Sequence, residues 1–131
     1  MIVRDFNKII ENDHDRVVSD AQWTSVRMLL AGDGLGFSFH ITFLEEGSEH
    51  EFEYKNHFES VYCMKGKGSI TDLATGETHA IVPGVMYALN QHDRHILCAD
   101  EELVMACVFN PPVTGTEVHR EDGSYAVAGE A

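Results

Sequence analysis

Apolar and polar residues alternate along this chain in short bursts. Phe37, Phe39, Ile41 and Phe43 fall on one parity and Ser38, His40 and Thr42 on the other, which is the two-residue period of a β-strand. Runs of strand length cover Ser25 to Leu30, Phe37 to Phe43, His50 to Tyr54, Glu59 to Met64, Ser69 to Leu73, His79 to Val82, Val85 to Leu89, His95 to Ala99 and Leu103 to Asn110. Turn signals separate them, among them Gly32-Asp33-Gly34, Lys65-Gly66-Lys67-Gly68, Thr75-Gly76 and Pro83-Gly84. Phe6 to Glu11 predicts a short helical turn. Evenly spaced short strands without a long helical period predict an all-β fold, an antiparallel sandwich or barrel. No repeat, linker or low-complexity stretch divides the chain, so residues 1–131 read as one domain. The small residues from Ala126 to Ala131 predict a frayed end.

Alternation does not say which face is inside. By default the phenylalanines of Phe37 to Phe43 face the core and Ser38, His40 and Thr42 face water. In a barrel that holds a ligand the polar side lines the lumen and the phenylalanines pack outward. Both arrangements satisfy the pattern.

The 131 residues include 22 acidic and 9 basic ones, a formal charge of −13. That charge opposes contact with nucleic acid and with anionic membranes. No run approaches the roughly 18 apolar residues of a membrane span. The N-terminus lacks an apolar signal core, which predicts a cytoplasmic protein. Cys63, Cys98 and Cys107 have no disulfide or zinc spacing, and they read as buried, reduced packing residues.

Three polar residues share strand faces with apolar ones. Glu59 lies on the parity of Val61 and Cys63, Tyr87 on that of Val85 and Leu89, and His95 on that of Leu97. A carboxylate on an apolar face costs several kcal/mol unless it is paired or coordinated. A strand-end glutamate bending to water and a core tyrosine with a bonded hydroxyl are the bland alternatives.

The segment from Gly47 to Gly66 has the frame of the first cupin motif, and Pro83-Gly84-Val85 through His95 that of the second. The usual histidine pair falls at Glu53 and Lys55, so the histidine-rich cupin metal site is absent. The stretches Gly36 to Thr42, Asn56-His57-Phe58-Glu59-Ser60-Val61-Tyr62-Cys63, Tyr87-Ala88-Leu89 with His92-Asp93-Arg94-His95, and Cys107 to Gly115 with Glu117-Val118-His119 closely resemble ectoine synthase, a cupin-family cyclase. The resemblance runs from about Trp23 to Tyr125. It implies a cupin-type double-stranded β-helix barrel and the cyclisation of N-γ-acetyl-L-2,4-diaminobutyrate to the compatible solute ectoine, a hydro-lyase reaction. It also implies a homodimer acting on that small molecule. Fe(II), or another divalent metal, would be held by Glu59, Tyr87 and His95, oxygen and nitrogen donors that suit a borderline ion.

The same resemblance places Trp23, Arg27, Thr42, Tyr54, His57, Phe109, Glu117 and His119 around metal and substrate. Arg27 is expected to bind the substrate carboxylate. Glu117 is the first choice to hold the amino end or take its proton. Tyr54 and His57 are alternatives for proton transfer, and His57 also fits a supporting role. Trp23 and Phe109 would wall the pocket, and residues after Pro112 suggest a lid. Two other readings compete: a different metal cupin such as a dioxygenase or isomerase, which the missing histidine pair counts against, and a cupin that binds a small solute without turning it over.

Overall fold

A computed structural model of the chain describes residues 1–115. Ten strands run β1 (Val17–Asp20), β2 (Trp23–Leu29), β3 (Ser38–Leu44), β4 (Glu49–Phe52), β5 (Phe58–Lys65), β6 (Gly68–Asp72), β7 (Thr78–Ile81), β8 (Met86–Leu89), β9 (His95–Ala99) and β10 (Leu103–Asn110). All the pairings are antiparallel. They form a six-stranded sheet in the order β1-β2-β3-β10-β5-β8 and a four-stranded sheet in the order β4-β9-β6-β7. From β3 on, the chain repeatedly crosses between the sheets, which is how a jelly-roll barrel buries two faces against each other.

The nine predicted strands are present with ends shifted by a residue or two. β1 is additional. Val17-Val18-Ser19-Asp20 sets two apolar residues before two polar ones and so shows no alternation, and it exists because it pairs with Thr24 and its neighbours along the edge of β2. The predicted helical turn is α1 (Phe6–Asn12), capped by the Asp5 carboxylate, which accepts from the Asn7 and Lys8 amides. Its Ile9 is buried, and Phe6 packs on Phe43 with ring centroids 5.9 Å apart.

The open question about β3 is decided in favour of the inverted arrangement. Ser38, His40, Thr42 and Leu44 are buried, whereas Phe39, Ile41 and Phe43 are half-buried on the outer side. On β5, Glu59, Val61 and Cys63 point in, and Phe58, Ser60, Tyr62 and Met64 point out. Two predicted buried cysteines, Cys63 and Cys107, are buried and free; Cys98 is free but only half-buried on β9, where its thiol faces the Glu49 carboxylate at 3.6 Å. Among the described residues, no helix is long and apolar enough to cross a membrane.

Candidate functional site

The barrel interior carries more polar groups than a packing core needs. Trp23, Ser25, Thr42, Tyr54, Glu59, Tyr87, His95, Cys107 and Phe109 line one cavity with Phe52, Val61, Leu97 and Met105. Its free volume is about 20 Å³, room for roughly one water molecule. A wider cleft of about 160 Å³ opens against Tyr87 and His95, between Ile70, Asp72 and His79 on one side and Ala88, Leu89 and Asp93 on the other.

Strand pairing explains how distant residues meet. Glu59 on β5 sits opposite Phe109 on β10 and Leu89 on β8. Tyr87 is opposite Val61, so Glu59 and Tyr87 share the inner face of one sheet. His95 comes from β9 of the other sheet, opposite Phe52. Its Nδ1 donates to the Asp93 carbonyl at 2.9 Å, which assigns the proton to that nitrogen and leaves Nε2 with its lone pair.

Burial pushes the Glu59 carboxyl up to about 8, a shift the Cys107 thiol partly offsets by donating to it. Tyr87 is held well above its ordinary value by burial and by the neighbouring Glu59 charge, and burial lowers His95. Without a cation, therefore, the three groups rest neutral. Among the described residues no three His, Cys, Asp or Glu side chains gather into a metal cluster; the trio is complete only with the phenol. A carboxyl, a phenol and an imidazole nitrogen facing one cavity fit a divalent cation. Its charge would favour ionisation of the first two against the burial that now opposes it.

The rest of the cavity is organised around Phe109. The rings of Tyr54, His57 and His40 meet it edge-on, with centroids 5.1, 5.6 and 5.3 Å away. Tyr54 and Thr42 are buried in the lining. His57 is buried but packs on Phe109 outside the lining. Cys107, read as a packing residue, belongs to the cavity: its thiol lies 3.6 Å from Thr42 Oγ1. The parity it shares with Met105 and Phe109 on β10 was the available signal.

Arg27 is fully buried and outside the lining. Its Nε donates to Ser25 Oγ at 3.1 Å and its Nη1 to the Gly115 carbonyl at 2.7 Å. The expected role in gripping a substrate carboxylate thus competes with these internal bonds. His40 bridges Ser25 Oγ, 3.3 Å from Nδ1, and Ser38 Oγ, 2.9 Å from Nε2. Ser38 Oγ in turn accepts from the Val113 amide at 3.1 Å. This buried network fastens the chain at Val113 and Gly115 to β2 and β3. Glu117 and His119, and the frayed end expected from Ala126, lie outside the described residues.

His40 is pushed down to about 3, first by burial and then by the Arg27 charge. The unfolded chain takes up a proton near pH 6.5 that the folded chain refuses, so stability falls as pH drops through that window, at most about 1.4 kcal/mol per pH unit. Between pH 6.5 and 5, urea unfolding should show wild type losing about 2 kcal/mol more than His40→Gln. Parallel pH dependence of the two proteins would show that His40 is not the titrating group.

Comparison with known proteins shows the family and the fold. A family model described as ectoine synthase matches residues 1–129. The chain is 65% identical over 127 residues to the L-ectoine synthase of Hyphomonas neptunium, covering 95% of this chain and 93% of that one. It is 55% identical over 131 residues to the L-ectoine synthase of Desulfosudis oleivorans, covering 99% and 100%. Its fold superposes on the crystal structure of ectoine synthase from P. lautus with a TM-score of 0.87 and 43% identity, covering 100% of this chain and 96% of that chain. A cupin domain of a transcriptional regulator from Enterobacter cloacae, 14% identical, shares the fold with a TM-score of 0.59. The chain belongs to the ectoine synthase family of cupin-fold lyases.

Proposed function

We propose that the enzyme closes N-γ-acetyl-L-2,4-diaminobutyrate into ectoine with loss of water, using Fe(II) held by Glu59, Tyr87 and His95. The observation that carries this reading is the convergence of those three groups, from both sheets, on one cavity with Trp23, Thr42, Tyr54 and Phe109. An amide carbonyl is a poor electrophile, and the bound cation would supply Lewis acidity to it.

The remaining requirements fall to the chain's own residues. The α-amine attacks only when neutral, so a base must take its proton. Glu117 is assigned that role, with Tyr54 and His57 as alternatives. That choice rests on the family likeness. His119 would help hold the substrate on the same segment. Thr42 and Tyr54, both in the cavity lining, are assigned to orienting a flexible substrate end to end. Trp23 and Phe109 keep water from the amidine. The cavity of about 20 Å³ shares Tyr87 and His95 with the wider cleft of about 160 Å³, which adds room for the substrate beside the three assigned ligands.

We assign the enzyme to the cytoplasm as a homodimer on the same family likeness; the outward apolar side chains Phe58, Tyr62, Met64 and Met86 support a second copy as the partner.

The test is direct. Purified protein with Fe(II) and the acetylated diamino acid should yield the cyclic amidine by NMR without consuming oxygen. Oxygen uptake, or binding without product, would overturn the reading. In the same assay Glu117→Ala should keep its metal by elemental analysis and lose at least about a hundredfold in turnover. Turnover at the wild-type rate would remove Glu117 from the chemistry.

A further inference from the structure

His92 lies outside the cavity lining, yet it joins the two loops that present the site. It stands in the connection between β8, which carries Tyr87, and β9, which begins at His95. Its backbone is left-handed, with φ of 54°, a conformation that a non-glycine residue keeps only when its surroundings hold it there. What holds it is visible. Nδ1 lies 2.8 Å from the Tyr54 carbonyl and 3.2 Å from the His57 carbonyl. Both partners are acceptors only, so Nδ1 carries a proton whatever the charge of the ring. The ring also stacks on Phe58, with centroids 4.8 Å apart and planes 20° from parallel.

The loop around His92 is ordered in the same direction. The Gln91 amide donates to the Asp93 carboxylate at 3.1 Å, and the Asp93 carbonyl receives the His95 Nδ1 proton at 2.9 Å. One loop therefore grips the Tyr54–His57 turn through a side chain and orients His95 through the next peptide.

We propose that His92 is a positioning residue for ectoine formation, its Nδ1–H clasping the Tyr54 and His57 carbonyls so that Tyr54 is held in register with Tyr87 and His95. This rests on the reading that Tyr54 lines the reacting cavity. Displacement of a substrate-orienting group by about 1 Å costs on the order of a hundredfold in rate, so a clasp of this kind controls turnover without touching substrate.

Three substitutions separate positioning from mere stability. His92→Gly accepts the left-handed backbone at no cost and removes the donor. His92→Asn tolerates that backbone and places an amide N–H where Nδ1 stands. His92→Gln sets its amide one atom further out. His92→Gly and His92→Gln should lose ten- to a hundredfold in kcat/KM, while His92→Asn stays within about threefold of wild type. The Tm of His92→Gly should fall by a few degrees at most, the relieved backbone strain offsetting the contacts removed, and all three should bind Fe(II) stoichiometrically by elemental analysis. Full activity in His92→Gly, no rescue by Asn, or activity losses that track Tm across the set would each overturn the proposal.

Tyr54→Ala tests the underlying reading separately. If that variant turns over like wild type, the assignment of Tyr54 fails irrespective of His92. If it does not, His92→Gly added to Tyr54→Ala should cost less than it does alone, because both changes remove one function. An equal, additive cost would show that His92 does not act through Tyr54.

Discussion

Replacing Glu59 by glutamine should abolish the proposed Fe(II) binding and lower turnover by on the order of a thousandfold, and yet make the metal-free protein more stable at pH 7. The two effects have one cause. Glu59 is 8% exposed, and burial pushes its carboxyl up to about 8. The unfolded chain ionises this group above about pH 4.5, while the folded chain keeps it protonated. Stability from this group is whole below pH 4.5 and is lost progressively as pH rises to 8, the sign expected for a carboxyl shifted upward. At pH 7 the loss reaches up to about 3 kcal/mol. Glutamine has the same shape and does not titrate, so it avoids that loss, but it is neutral and offers a cation little. Urea unfolding of the two metal-free proteins should therefore diverge at pH 7 and converge near pH 4. Equal stability at both values would show that the buried carboxyl is not held protonated, and metal and turnover retained in Glu59→Gln would remove Glu59 from its assigned role. A variant that gains stability while losing activity cannot be explained by unfolding.

Gly66→Ala should damage the fold severely, costing about 3 kcal/mol or more. Gly66 turns the chain from β5 into β6 with φ of 99°. A Cβ there would stand 2.0 Å from the Glu102 carbonyl oxygen, 2.8 Å from its carbon and 3.0 Å from the Leu103 Cα. Those atoms are main chain and cannot rotate aside. Leu103 is fully buried and pairs with Leu44, and the next residue, Val104, pairs with Lys65. Any retreat pulls β10 away from its neighbours, and β10 carries Cys107 and Phe109 into the cavity. Gly76, with φ of 77° and open space around its Cβ position, is the control: its replacement by alanine meets only the left-handed backbone cost of about 1–2 kcal/mol. Thermal unfolding that ranks the two substitutions equally would mean the turn moves more freely than its pairing indicates.

Glu59, Tyr87 and His95 were legible in the sequence because each sits on the parity of apolar neighbours, where a polar side chain is an anomaly that asks for a reason. The nine predicted strands were legible because their periodicity and bounding turns are local properties. Arg27 is a different case. The family resemblance sets it against the substrate carboxylate, and only the fold brings the Gly115 carbonyl, 88 positions away, within 2.7 Å of its guanidinium. Cys107 looked like packing until Glu59 and Thr42 were set beside it. His92 carried no signal of its own, since its partners are main-chain carbonyls that no side-chain pattern encodes.

The chain by itself determined the strands, their two faces and the residues whose chemistry is out of place on them. Which face of β3 became the lumen, and which distant groups met inside, was decided by sheet pairing and closure. A period of two is the same read from either side, so the inside exists only once a second sheet covers it.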